Sequence, residues 1–396
     1  MLLDAATLRQ VFAWQNPFRN EGTSEPEAAS PASPVTILAA NANFPVELEV
    51  KAFCRSAADW PGSPLIIQFS HSALKVIGSQ DPSPAVSGAR LGRMVTEHIL
   101  AESGARYVAL ALDHFKVPPY PGDAVEGSSR AVRVARAGVD DAYEAARGVV
   151  GQVTDKELES YVVYLSSPTY ADFKRELTAV LGALGPAWAM IDTERLPPVL
   201  DFALTRDVAE FIRRSLGLSD MMLEVEYGAT GVAGQDRPYE PLHGEELSGF
   251  ADEVACFVAY TGADGIAYPI GMEHGSPTEC KHQPDIERLT TVQRRILQVT
   301  GRYVPFAQHG GTGAAQLVRG LVGKNNVNTR FLVAAANRLA DRTLADVDRI
   351  RAGVKEACGV GLYTAAVEAV REAVLEKLKE AGSFGAAPEL DAFLGR

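Results

Sequence analysis

Three of the seven histidines follow apolar segments typical of buried strands, namely His114, His274 and His309. Neutral imidazole is a preferred zinc ligand, and a site with three protein ligands keeps one position open for a substrate oxygen. One such histidine alone would more often be a hydrogen-bonded structural residue. If the three strands lie in one parallel barrel, their carboxyl ends meet, so the three histidines together predict a catalytic metal centre. His98 sits in a helical pattern and is expected to be structural, whereas His71 follows a strand and could either be structural or touch substrate.

Carboxylates accompany these histidines in the sequence. Asp113 directly precedes His114, where a carboxylic group could move a proton at an oxygen held by the metal. The alternative is an aspartate that only supports its neighbours. Glu224 and Glu226 are two residues apart in a strand and therefore share one face. We expect that face to point inward, because buried carboxylates need partners that the interior of the barrel can supply.

The sequence HGGTG at 309–313 offers a second kind of site. Small residues between a strand and a helix let backbone N–H groups approach an anion, and the helix dipole favours negative charge. We expect a short helix at 312–321, and neutral donors from Asn326, Asn328 and Thr329 at the end of the next strand. Together they predict a phosphate site, and the alternative is an ordinary glycine turn. Four nearby cations are expected to be solvated surface side chains: Lys116, Lys281, Lys324 and Arg330.

Eight strand-like segments must position these residues. They lie at 35–43, 63–69, 105–113, 187–192, 220–227, 263–270, 302–308 and 323–328, and each is followed by a helical pattern. Eight alternating units predict a (β/α)8 TIM barrel, an α/β fold whose active sites lie at the carboxyl ends of the strands. A doubly wound open sheet is the alternative, but no GxGxxG follows the first strand.

The remaining length of the 396-residue chain falls in three segments. A helical pattern from Ala5 to Trp14 and a linker form 1–34, a helical insertion occupies about 115–186, and a helical appendage covers about 350–396. Roughly 240 residues then remain, close to the about 250 of a typical barrel. We therefore predict a single catalytic domain over 35–396, with 1–34 packed on it. Because the insertion leaves directly after Asp113 and His114, it should shape or cover the active site.

Composition narrows the range of partners. Lys plus Arg number 38 against 50 Asp plus Glu, and this net charge of −12 argues against a nucleic-acid partner. The four cysteines form no CxxC pair, so neither a disulfide framework nor a cysteine zinc site is predicted. The sequence shows neither the pattern of a signal peptide nor an apolar run long enough to span a bilayer. We therefore expect a cytoplasmic location and no membrane partner.

Six short motifs, in order along the chain, carry a family resemblance. They are ALDHF, AMIDTERLP, MLEVEYGATG, IGMEHG, QHGGTG and KNNVNT, and the match runs from about Asn41 to residue 330 with a gap over 115–186. The set resembles the zinc-dependent class II fructose-bisphosphate aldolases and their tagatose-bisphosphate relatives. The resemblance implies a (β/α)8 barrel in which Zn²⁺ stabilises the enediolate when a ketose bisphosphate is cleaved to dihydroxyacetone phosphate and an aldehyde, which is glyceraldehyde 3-phosphate if the substrate is fructose 1,6-bisphosphate. It also implies a homodimer or larger assembly, and it leaves open a second divalent or a monovalent cation.

The resemblance assigns roles to single positions. It implies that Asp113 is the acid/base at the aldehyde oxygen, that His114, His274 and His309 bind zinc, and that Glu226 takes a displaced or second metal ion with Glu224 in support. The residues implied for the substrate and its phosphate are Asn41, Ser70, Gly275, Gly311, Thr312, Asn326, Asn328 and Thr329.

Two departures from the family pattern bear on the substrate. The loop after GATG reads VAGQD, so Val232, Ala233 and Gly234 stand where a proton-transferring glutamate is expected, and Asn328 replaces the usual aspartate of the last motif. An aldolase for a different ketose phosphate and a catalytically altered or silent sugar-phosphate-binding barrel therefore remain alternatives. A metal hydrolase is disfavoured, because the first strand has no HxH pair.

Overall fold

Eight parallel strands form the centre of the protein in a computed structural model, which describes residues 2–19, 31–43, 46–77, 83–102, 104–121, 128–194, 196–228, 231–232, 239–274 and 282–396. The strands are β1 (Ile37–Asn41), β2 (Leu65–Ser70), β3 (Val108–Lys116), β4 (Trp188–Asp192), β5 (Met222–Glu226), β7 (Gly265–Ala267), β9 (Phe306–Gln308) and β10 (Val322–Val327). They close into a barrel in the order β1-β10-β9-β7-β5-β4-β3-β2. The predicted eight strands and the (β/α)8 TIM barrel are thus confirmed.

The apolar runs form strands here because both faces of a parallel barrel sheet are covered. All residues of β1, β4, β5 and β10 are buried. Two further short strands, β6 (Gly231–Val232) and β8 (Glu273–His274), pair with each other in a separate two-stranded sheet. They bring the segment after β5 next to the segment after β7.

Helices cover the outside of the barrel. Those before the insertion and those between the later strands are α2 (Val46–Ala58), α3 (His71–Ile77), α4 (Pro84–Ala101), α8 (Pro198–Glu210), which continues as a π-helical turn over Phe211–Ser215, α9 (Gly244–Thr261) and α10 (Ile286–Thr300). After β10 the helices are α11 (Thr329–Ala345), α12 (Val347–Arg351), α13 (Lys355–Cys358), α14 (Val360–Ala381) and α15 (Ala387–Leu394). No described helix has the length and apolar character needed to cross a membrane.

The N-terminal helix α1 (Ala5–Gln15) lies at the amino ends of the strands. Leu3 forms an isolated parallel bridge with Ala109 of β3, and the Phe12 ring lies 5.1 Å from the ring of Trp188, the first residue of β4. Arg9 forms an ion pair with Asp264 just before β7. Because Phe12 and Trp188 are both fully buried, α1 closes the end of the barrel opposite the predicted active site.

The insertion after β3 consists of three helices, α5 (Ser129–Ala146), α6 (Asp155–Leu165) and α7 (Pro168–Leu184). Each begins with a serine or threonine whose side chain accepts a backbone hydrogen bond, as helix N-caps do. Helix α5 packs on α8, and α7 packs on α4, so the insertion joins the outer helical layer. The extent of the catalytic domain stays a prediction.

The short helix predicted over 312–321 is wrong. The described residues 312–321 form turns and two isolated bridges, His282 with Ala314 and Arg319 with Val322. The His282 backbone donates to Gly313 and accepts from Ala315, so pairing with a neighbouring segment replaces the local helix. The glycine stretch after β9 therefore has no helix of its own.

Candidate active site

A β-bulge at the end of β3 presents Asp113 and His114 at the carboxyl end of the barrel. Leu112 pairs with Ala189 of β4, but Phe115, three residues further along β3, pairs with Ile191, which is only two residues further along β4. His114 has φ +44°, the only non-glycine residue of the described chain in the left-handed region. Such a conformation costs about 1–3 kcal/mol and is found mostly where function requires it. The extra residue removes the usual alternation of faces, so consecutive residues reach the same site.

His114, Glu226 and His309 form a group that can hold a metal ion. One ligand atom from each lies within 4.8 Å of the others, and the two imidazole rings are 4.7 Å apart between centroids. Two imidazoles and a carboxylate are a donor set that suits zinc. His114 comes from β3, Glu226 ends β5 and His309 follows β9, so three separate strands converge here.

His274, predicted as a third histidine ligand, is the last residue of β8. Its backbone pairs with Val232, but its side chain lies outside what the structure describes. Its role as a ligand stays a prediction. Gly275, the predicted phosphate contact, also lies outside the described residues.

Glu224 holds His309 in one orientation from inside the barrel. Its carboxylate lies 3.0 Å from His309 Nε2, and it accepts hydrogen bonds from Lys324 Nζ at 2.7 Å and from Trp188 Nε1 at 2.6 Å. A neutral His309 that donates from Nε2 presents the lone pair of Nδ1 on the side away from Glu224. Burial alone would raise the pKa of Glu224, but Lys324 and His309 lower it to about 2. Glu224 is therefore a charged carboxylate in the interior, as the inward-facing prediction required.

Asp192, at the end of β4, holds the other histidine. Its Oδ2 lies 3.2 Å from His114 Nδ1 and 3.7 Å from Lys116 Nζ. His114 Nε2 is then the ring nitrogen left for a metal. Burial lowers the pKa of His114, but Asp113, Asp192 and Glu226 outweigh it and raise the pKa to about 9. The surroundings of this ring thus favour positive charge, which is what a cation site needs.

Asp113 is held by two amide side chains. Asn41 Nδ2 at the end of β1 donates to its Oδ2 at 3.0 Å, and Asn326 Nδ2 of β10 donates to its Oδ1 at 3.5 Å. Asp113 is 1% exposed, and its Oδ2 lies 4.0 Å from His114 Nε2. The carboxylate therefore stands beside the metal group with its orientation fixed, and the structure brings the predicted Asn41, Asp113 and Asn326 together.

The glycine stretch after β9 lies against the start of α11. Gly311 N donates to Asn326 O at 3.1 Å, and Thr312 Oγ1 accepts from Arg330 N at 3.3 Å. A Cβ at Gly311 would lie 2.1 Å from Asn325 Oδ1, so this approach requires glycine. The helix whose N-terminus faces the glycine stretch is α11, which begins at Thr329, and not the predicted helix 312–321.

The remaining predicted contacts lie on the rim of the site. Ser70 ends β2 opposite Asp113 in the register, and its Oγ accepts from Ala73 N at 3.0 Å. Asn328 is exposed after β10, and its side chain accepts a hydrogen bond from Asn43. Ser70 and Asn328 therefore lie at the carboxyl ends of β2 and β10, the two strands that pair with β1.

Two site residues were missed or misplaced by the sequence reasoning. Asp192 stands within the motif AMIDTERLP, and a carboxylate that ends a barrel strand is itself a signal for the site. Lys324 was expected on the solvated surface, which is wrong, because it is 0% exposed and pairs with Glu224. Lys324 and Asn326 are two residues apart in β10 and therefore share one face, so the pattern of the strand already places Lys324 beside a predicted site residue.

Fold and site together define a (β/α)8 barrel with a histidine and carboxylate centre at the carboxyl ends of its strands. The family profile described as fructose-bisphosphate aldolase class-II matches residues 169–386, more than half of the chain. The chain therefore belongs to the class-II fructose-bisphosphate aldolase family. The matched span contains Glu224, Glu226 and His309, whereas Asp113 and His114 precede it.

Two solved structures share this fold. The chain is 16% identical to fructose-bisphosphate aldolase (Fba) from Campylobacter jejuni, with TM-score 0.58 and coverage of 97% of this chain and 96% of that chain. It is 17% identical to the YdjI aldolase from Escherichia coli K12, with TM-score 0.51 and coverage of 98% and 100%. No curated protein matches the sequence. At these identities the likeness supports the fold alone.

Proposed function

We propose that the protein is a metal-dependent aldolase that cleaves and forms a ketose phosphate, with dihydroxyacetone phosphate as one product. The observation that carries the proposal is the group His114, Glu226 and His309 with Asp113 directly beside it. These residues fit a zinc ion, with His274 proposed as a further ligand. A bound zinc ion would supply a Lewis acid that polarises the ketone of the substrate.

The chain's own residues would manage the protons and the phosphate. In cleavage the C3–C4 bond breaks, and Asp113 takes the proton of the C4 hydroxyl as that oxygen becomes the aldehyde oxygen. In condensation the same proton returns. Asn41 and Asn326 fix the orientation of the Asp113 carboxylate, since each donates a hydrogen bond to a different carboxylate oxygen.

The phosphate of the substrate is proposed to bind between the glycine stretch and the start of α11. Backbone N–H groups and a helix N-terminus hold an anion without added positive charge, which suits a chain of net charge −12. Gly311, Thr312 and Thr329 border this place, with Ser70 and Asn328 on the rim.

The test is release of dihydroxyacetone phosphate from ketose phosphates by zinc-loaded and chelator-treated protein. We expect one zinc ion per chain, activity only with metal, and a loss of at least about 100-fold in kcat for Asp113→Asn. Activity that survives complete metal removal would contradict the proposal.

The same assay addresses the catalytically altered or silent barrel. Val232 stands at a position where the family pattern has an acid, and this favours a second candidate, a barrel that binds sugar phosphates without turning them over. Binding of dihydroxyacetone phosphate with no turnover of any ketose phosphate, and the same result with Asp113→Asn, would favour that candidate.

We propose a homodimer or larger assembly from the family alone, and a cytoplasmic location from the cysteines. A homodimer or larger assembly is checked by sedimentation equilibrium. Cys54, Cys256 and Cys358 are free thiols in the described chain, which agrees with a reducing cytoplasm. Zn²⁺ is the proposed metal, and metal analysis of the purified protein would show whether a second divalent ion accompanies it.

A further inference from the structure

A cavity of about 440 Å³ lies on the rim of the active site, between the barrel and the insertion. Lys116 and Asp192 supply its wall at the ends of β3 and β4, and His71 and Lys75 of α3 supply a second wall. Helix α7 of the insertion forms the third wall. A volume of this size suits a small molecule or the distal half of a larger one.

Asp192 connects the cavity to the metal group. Asp192, which lines it, has the same Oδ2 that lies 3.2 Å from His114 Nδ1. Lys116 lies two residues beyond His114 on β3 and also contacts that carboxylate, at 3.7 Å. A substrate held at the metal side of His114 could therefore extend over the rim of β3 and β4 into the cavity.

Each cation of the cavity wall already has a carboxylate partner among the described residues. Lys75 Nζ lies 3.9 Å from Glu176, and Lys116 Nζ lies 3.7 Å from Asp192. Glu176 also lies 3.0 Å from His71 Nε2. Among the described lining residues, the lysines do not outnumber the carboxylates, so a phosphate dianion would stand near Asp172, Glu176 and Asp192 without an uncommitted cation to balance it.

The same wall contains hydroxyl groups as well as charged pairs. Ser72 and Thr169 supply exposed hydroxyls that can both donate and accept, next to carboxylate acceptors and ammonium donors. Neighbouring hydroxyls of a sugar need such mixed partners. The chemistry of the wall therefore suits a neutral polyhydroxylated chain.

We propose that this cavity binds the tail of the acceptor aldehyde, and that this tail is hydroxylated and carries no phosphate. The inference rests on the proposed aldolase function and narrows its substrate to a ketose with a single phosphate, on the dihydroxyacetone end. In condensation a C–H bond at C3 of dihydroxyacetone phosphate breaks, with its proton leaving to a base. The new C–C bond forms between that C3 and the carbonyl carbon of the aldehyde. The oxygen of the aldehyde gains a proton and becomes a hydroxyl.

The experiment separates the acceptor from the donor half of the reaction. Exchange of the C3 proton of dihydroxyacetone phosphate with solvent needs no acceptor, so it reports the aldolase centre alone. Condensation is then measured with D-erythrose and with D-glyceraldehyde 3-phosphate as acceptors. We expect kcat/KM to be at least about tenfold higher with erythrose, because the wall disfavours a dianion.

Two variants address the cavity itself. Glu176→Lys adds positive charge to the wall and should shift the ratio of kcat/KM toward the phosphorylated acceptor by about tenfold or more. Thr169→Trp, at an exposed position in the first turn of α7, fills the cavity and should lower condensation with erythrose about tenfold more than it lowers proton exchange. Glu159→Lys makes the same charge change on an exposed residue of α6 and serves as the matched control.

The outcomes are distinct. A shifted ratio for Glu176→Lys, together with an unshifted ratio for Glu159→Lys, supports the inference. The inference would be overturned, and the aldolase proposal left standing, by metal-dependent exchange in which Glu176→Lys leaves the acceptor preference unchanged and Thr169→Trp lowers condensation no more than exchange. Absence of both exchange and cleavage in the zinc-loaded wild type would overturn the aldolase function and, with it, the acceptor site.

Discussion

Replacement of Lys324 by methionine removes the lysine that pairs with the fully buried carboxylate of Glu224. The side chains of Lys324 and Glu224 are both 0% exposed, and Lys324 Nζ lies 2.7 Å from Glu224 Oε2. Methionine keeps most of the volume of the lysine stem, so the packing changes little while the charge is lost. Glu224 then retains Trp188 and His309 as hydrogen-bond donors, but not a permanent positive charge.

The expected loss is large because the charge left behind is buried. Removal of one partner from a buried ion pair costs about 3–5 kcal/mol of folding free energy. A whole domain is stable by only about 5–15 kcal/mol, so Lys324→Met should lower the unfolding midpoint clearly. The double variant Lys324→Met with Glu224→Gln has no buried charge there and should recover most of the loss, to within about 1 kcal/mol of wild type.

The assay is urea unfolding at pH 7.5, followed by circular dichroism, for the wild type, the single and double variants, and Lys156→Met. Lys156 is exposed on α6 and provides the matched control. A single variant as stable as Lys156→Met, or a double variant no more stable than Lys324→Met alone, would refute the view that Lys324 neutralises Glu224 in the barrel.

Three further predictions follow from single contacts. Asp192→Asn removes the carboxylate at His114 Nδ1 and should weaken zinc binding by about 10–100-fold, as measured by competition with a chromogenic chelator. Burial raises the pKa of Glu49 to about 7, although the Asn43 backbone donates to it. This folded-state pKa lies above the unfolded value of about 4.3. The folding free energy that protonated Glu49 contributes is therefore fully present below about pH 4 and is lost as the pH rises through 7. In melts at pH 4.5 and 8, Glu49→Gln should remove about 3 kcal/mol of that loss. Gly311→Ala puts a Cβ 2.1 Å from Asn325 Oδ1, so it should raise KM for the phosphorylated substrate about tenfold or more; an unchanged KM would remove this stretch from the phosphate site.

The strands and their ends could be predicted from the sequence because buried parallel strands are nearly continuous apolar runs. A polar residue that ends such a run, such as Asp113 or His309, must then lie at the mouth. The strand ends alone indicate that Asp113, Asn326 and the three residues of the metal group lie at one end of the barrel, whereas Asn41 is implied only by the family resemblance. The inference from the strand ends depends only on local pattern and on the closure of the fold.

The features that escaped prediction depend on contacts between distant segments. The bulge that turns Asp113 and His114 to one side is a register shift against β4, which no local pattern reveals. The region 312–321 pairs with the backbone of His282 instead of forming a helix, so tertiary contacts override its local propensity. The cavity beside Asp192 likewise arises only when α7 packs on the rim of the barrel.

The proposed aldolase function requires one metal ion between His114, Glu226 and His309. It is tested most directly by crystals of zinc-loaded protein, in an anomalous difference map recorded above and below the zinc absorption edge. We expect a single strong peak that contacts His114 Nε2, His309 Nδ1 and Glu226, with His274 as a further ligand. A zinc peak elsewhere, or none at this position in protein that cleaves a ketose phosphate, would contradict it.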